Sequence, residues 1–178
     1  MRALASMIVL GLLAVPLGDG VAQTRGLRVV HKHQGFWLSA GAGGGWEDFD
    51  GSFGNQGRGG AFYLRMGGTP NPQVLFGGEV LGWFDGGDPD NFERWNVTGT
   101  VLAYPSRAGG WFLKTGVGFA EHTVFGAERG GLGATVGTGF DLRLGRNFYV
   151  TPNVDYLVQF FDNSTTGTLL VTFGVTWH

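Results

Sequence analysis

From Gly35 onward the chain alternates between apolar and polar side chains in eight successive segments. A period of two puts every second side chain on the same face of a strand. The segments run Phe36–Trp46, Phe62–Met66, Val74–Phe84, Trp95–Ala103, Trp111–Phe119, Leu132–Leu142, Phe148–Phe160 and Leu169–Trp177. Counting every second residue from the first of each gives 43 positions without one charge, where the chain's 15% of charged residues would place about six. The opposite parity carries Tyr63, Arg65, Glu79, Asn96, Thr98, Thr100, Lys114, Thr135, Asp141, Arg143, Asn153, Asp155, Gln159, Thr168, Thr172 and Thr176. Glycines fill many of its other places, among them Gly41, Gly43, Gly116, Gly118, Gly133, Gly137 and Gly139.

A soluble barrel turns such an apolar face inward, and a membrane barrel turns it outward to lipid. Three features select the membrane. The apolar face begins or ends in an aromatic on most segments, as at Phe36, Trp46, Phe84, Trp95, Trp111, Phe119, Phe148, Phe160 and Trp177, and aromatic rings favour the two headgroup levels of a bilayer. From Phe36 to Trp46 is ten strand steps, roughly 33 Å at 3.3 Å each. Tilted by about 40°, that gives about 25 Å of height, the depth of an apolar band. The polar face offers Gly and Thr where a solvated exterior would carry Lys and Glu. The expected fold is therefore all-β, an eight-stranded antiparallel up-and-down transmembrane barrel.

The linkers alternate in length. Residues 47–57, 85–93, 120–131 and 161–166 read as longer loops on one rim, and 67–72, 105–110 and 145–147 as short turns on the other. An even strand count returns both ends of the barrel to the short-turn rim. Pro152 falls mid-segment and deletes a ladder donor, which predicts a bulge or local break.

Composition sharpens the exclusions. Glycine supplies 35 of the 178 residues, too many and too evenly spread for long helices. No Cys is present, so disulfides and thiolate chemistry are out. A net charge of −2 gives no footprint for nucleic acid. At the start, Arg2 precedes the 11-residue apolar run Met7–Leu17, and Gly20 and Ala22 stand at the −3 and −1 places before Gln23. That run is too short to span a bilayer as a helix and fits an export signal. The expected organisation is a cleaved signal peptide over 1–22, a leader over 23–34 and a barrel over 35–178.

With these strands, rims and girdles the chain resembles the small eight-stranded outer-membrane β-barrels of Gram-negative bacteria, the superfamily of outer membrane proteins A, W and X. The turn phrases Tyr104-Pro-Ser-Arg-Ala-Gly-Gly110 and Leu144-Gly-Arg-Asn147 are similar to those of the group. The family commonly closes on a terminal aromatic, whereas here Trp177 precedes a final His178. The resemblance implies a monomer in the cell outer membrane, lipid and lipopolysaccharide around it, the barrel-assembly machinery as insertion partner, and no cofactor.

The inward charges Arg65, Glu79, Lys114, Asp141, Arg143 and Asp155 form the candidate site, a polar network in the lumen. Counted from the short-turn rim, Arg65, Lys114, Asp141 and Arg143 lie low, and Glu79 and Asp155 nearer mid-height. Eight strands leave an interior just wide enough for side chains, so a hydrogen-bonded plug is the expected state. A polar pathway, made roomier by the inward glycines, is the competing one. No catalytic residue is assigned: His31, His33, His122 and His178 fall in the leader, a loop and the end, without the Ser–His pairing that a lipid-acting barrel enzyme needs. His31-Lys-His33 puts two imidazoles on one side of a strand, a pattern read more simply as a polar lead-in than as a metal site. The acidic stretches 46–51 and 85–93 lack calcium-loop spacing and read as solvated loops. The function expected is non-enzymatic, structural or surface-interacting, with a narrow solute channel or carrier as the alternative and a lipid-modifying enzyme after it.

Overall fold

The computed structural model describes residues 33, 35–48, 57–85, 93–107, 109–124, 127–162 and 164–178. The proposed signal peptide and most of the leader lie outside them. The strands are β1 (Gly35–Asp48), β2 (Arg58–Asn71), β3 (Val74–Asp85), β4 (Glu93–Ala103), β5 (Trp111–Val124), β6 (Ala127–Phe140), β7 (Leu142–Arg143), β8 (Phe148–Phe161) and β9 (Ser164–Trp177). Each pairs antiparallel with its neighbours, β1 pairs with β9, and β6 also pairs with β8. Because β7 continues β6 along the same partner, the nine elements make eight staves of one closed barrel.

Period-two alternation decides which way each side chain points. Of the 43 apolar-face positions only Gly82 is buried, and it lies under the ring of Phe62. Phe119, Val117 and Phe173 are exposed at 78%, 61% and 64%, which would be untenable in water and is the expected surface toward lipid. On the opposite face every polar residue named above is buried except Arg143.

The Pro152 expectation is met on one side only. β8 runs unbroken, and Pro152 keeps its place opposite Phe173 of β9. Toward the other neighbour the ladder lapses between Gly139↔Asn153 and Leu142↔Val150 and resumes in the same register. There is no bulge. In the gap the Asp141 amide donates to the Gly110 carbonyl at 2.9 Å, which separates β6 from β7.

The connections differ from the expected pattern. β5 and β6 stay paired from Trp111↔Phe140 up to Val124↔Ala127, and β8 and β9 up to Phe161↔Ser164. Two of the four expected loops are therefore strand extensions. On the other rim the β2–β3 link shrinks to Pro72-Gln73, held by the Gln73 amide donating to Asn71 Oδ1 at 2.9 Å. Strand pairing continues through stretches that the sequence reading assigns to loops.

Candidate functional site

The lumen is filled in layers. At mid-barrel, Arg65 of β2 and Glu79 of β3 are register partners, and the Arg65 Nε donates to Glu79 Oε1 at 2.5 Å. The other end of the guanidinium reaches Asp155 Oδ2 of β8 at 3.2 Å. Lys114 of β5 closes the figure, with Nζ 2.5 Å from Glu79 Oε1 and 2.8 Å from Asp155 Oδ1. The result is a ring of alternating sign, two cations and two carboxylates, with no net charge. All four side chains are at most 1% exposed. A buried charge is tolerable only when paired and hydrogen-bonded, and the ring provides both. Arg65 also donates to Asn153 Oδ1 at 3.2 Å and lies 3.9 Å over the Tyr63 ring, a cation–π arrangement.

Toward the long-loop rim lies an apolar layer of Ala61, Leu81, Trp83, Leu157 and Leu170. Above it is a second polar knot. Arg94 of β4 pairs with Glu47 of β1 and donates to Gln159 Oε1 at 3.1 Å and to the Thr166 hydroxyl at 2.5 Å. Gln159 in turn donates to Asn96 Oδ1 at 2.7 Å.

Toward the short-turn rim a third layer gathers Trp37, Leu75, Leu102, Tyr104 and Phe112. Asp141 accepts from the Tyr104 hydroxyl at 2.8 Å and from the Thr151 hydroxyl at 2.6 Å. Below it, His33 is buried with its ring 4.1 Å from that of Tyr104, and His178 stands edge-on to Tyr149 at 5.2 Å. A cavity of about 10 Å³ bounded by Arg65, Tyr104, Asp141 and Thr176 has room for about one water.

Five of the six expected residues are thus buried in the lumen, and four of them form one cluster. Two points of the expectation change. Glu79 and Asp155 do not stand above Arg65 and Lys114: the four meet at one level, for Arg65 and Glu79 are register partners and Lys114 and Asp155 both face Gly137. Arg143 keeps inward parity, opposite Tyr149, but is solvent-exposed at the rim and donates to the Gly145 and Arg146 carbonyls of its own turn. It is no part of the plug. The inward glycines likewise open no path. A Cβ at Gly41 would lie 2.5 Å from the Tyr63 ring, at Gly137 2.0 Å from an Asp155 oxygen, and at Gly139 2.5 Å from the Phe112 ring. Each of these three glycines seats a side chain of a neighbouring strand.

Glu47 and Arg94 were not among the expected site residues. Parity would have found both, since each adjoins an outward Trp, Trp46 and Trp95. Glu47 had been given to a loop, and Arg94 fell one residue before the assigned segment.

No family model matches the chain, and no characterised protein matches it in sequence. Solved structures do match its fold. The attachment invasion locus protein Ail of Yersinia pestis superposes with a TM-score of 0.56 at 19% identity, over 81% of this chain and 99% of that one. Neisserial surface protein A gives 0.60 at 14% identity, over 81% and 97%. The N-terminal barrel of Pseudomonas aeruginosa OprF gives 0.51 at 12%, over 81% and 97%. Together with the closed eight-stave sheet and its outward apolar wall, these matches give the chain the fold of the small eight-stranded outer-membrane β-barrels.

Proposed function

We propose that this protein is a non-enzymatic barrel of the bacterial outer membrane, exported by its N-terminal signal, whose body is a sealed anchor and whose long-loop rim serves a structural or surface-interacting role. The observation that carries the reading is the stack of filled layers, with a charge-neutral ring at its centre. An ion crossing it must displace a buried pair or enter a layer of Leu and Trp, and both are costly. Ser39, a serine inside the wall, is bonded to Tyr63 at 3.1 Å and Thr176 at 2.7 Å, a structural use of its hydroxyl.

The surface partner can be narrowed by charge. Ail has been solved with the heparin analogue sucrose octasulfate. Apart from the buried Glu47, segments 47–57 and 85–93 of this chain hold six acidic residues and no basic one, so a polyanion is disfavoured and a cationic partner, or divalent cations bridging to anionic headgroups, is favoured. Planar-bilayer recording tests the anchor reading. The purified protein is expected to give no steady conductance and no solute-dependent swelling of proteoliposomes. Reproducible unit conductance, or uptake of a small solute, would move the assignment to the channel or carrier.

A further inference from the structure

We propose a metal-binding site at the short-turn mouth of the barrel, made by His33, Asp141 and His178, for a divalent cation of the zinc, cobalt, nickel and copper group. His33 belongs to the leader, Asp141 to the break between β6 and β7, and His178 follows β9. Barrel closure brings these three places together. The Nδ1 of His33 and the Nε2 of His178 lie 3.1 Å apart, and one donor atom from each of the three residues falls within 4.8 Å of the others. Two nitrogens bound at 2.0–2.1 Å to one tetrahedral ion stand about 3.3 Å apart, so the imidazoles are already near a shared coordination geometry. To complete a three-ligand set, the Asp141 carboxylate must close from a separation of up to 4.8 Å toward the spacing of about 3.3 Å at a shared tetrahedral ion.

The surroundings favour such a site. Tyr104 and Thr151 each donate to a different oxygen of Asp141. They orient the carboxylate, as outer partners of metal ligands do, and each oxygen keeps a second lone pair. The His178 amide donates to the Asn147 carbonyl at 3.1 Å, and His33 packs on Tyr104, so both rings are anchored. Imidazole and carboxylate without thiolate suit borderline divalent ions rather than calcium or magnesium, which take oxygen. Three protein ligands leave one position for water. A bound ion would staple leader, strand break and last strand across the β1–β9 seam.

Cobalt and zinc titrations test this on protein purified from membranes in detergent without a polyhistidine tag. The folded protein is expected to bind one Co²⁺ with the visible absorption of a tetrahedral nitrogen–oxygen site, and Zn²⁺ is expected to displace it. H33Q, H178Q and D141N should each weaken binding at least tenfold, and H122Q and H31Q should leave it unchanged. Zn²⁺ should also raise the denaturation midpoint of the wild type and not that of H178Q. Each variant's heat-modifiable gel mobility reports that the barrel has formed. Absence of one-to-one binding by the folded wild type would overturn the proposal. So would loss of binding in H31Q with full binding in D141N and H178Q, which would put the ion on the leader histidines alone.

Discussion

Glu79 is one of the two acids that hold the ring together, and one of its oxygens accepts from both Arg65 and Lys114. Removing it leaves two buried cations to share the single carboxylate of Asp155. Glu79→Ala is expected to cost about 3–5 kcal/mol, read as a shift in the urea refolding curve in lipid bilayers. Arg143→Ala removes an exposed charge of the same parity that donates to carbonyls of its own turn and is expected to stay within about 0.5 kcal/mol. If the two cost alike, the ring would not be what holds the lumen. Glu79 and Arg143 were both legible from parity as inward residues. Their different fates were not, because height along the strand decides whether water reaches the side chain.

At the scale of the elements, the barrel is stitched by close backbone approaches in its turns and breaks. Gly110 is buried, and a Cβ there would lie 2.2 Å from the Asp141 carbonyl, the same strand break at which Gly110 accepts the Asp141 amide. Gly145, in the neighbouring turn, has open space around its Cβ position. Gly110→Ala is therefore expected to destabilise by about 1–3 kcal/mol through overpacking, and Gly145→Ala by less than about 0.5 kcal/mol, measured by the same refolding assay. Alternation identified the strands, and Pro152 identified the place where the ladder lapses. The rim extensions of β5 with β6 and of β8 with β9 escaped the sequence reading, because Thr and Gly serve a paired strand end as readily as a loop.

For the whole molecule the bilayer is the solvent, and the wall must be apolar to it. Val136 lies mid-strand on that wall, 56% exposed. Val136→Arg is expected to destabilise by about 2–4 kcal/mol in bilayers, by refolding titration in vesicles. A neutral result would mean that the apolar face does not meet lipid. Gly137→Ala, its inward neighbour, would push on Asp155 instead, and is expected to weaken the barrel by about 1–3 kcal/mol in vesicles and detergent alike, which separates packing from lipid exposure.

The alternation of the sequence determined the eight staves, their two faces and which charges point inward, because side-chain direction in a strand is a local property of period two. Only the tertiary structure decided what those inward residues do. Bringing Arg65, Glu79, Lys114 and Asp155 into one ring, seating Tyr63 and Phe112 over glycines of other strands, and setting His33 beside His178 all depend on the register and closure of the sheet. Those contacts join residues up to 145 positions apart, and no spacing along the chain encodes them.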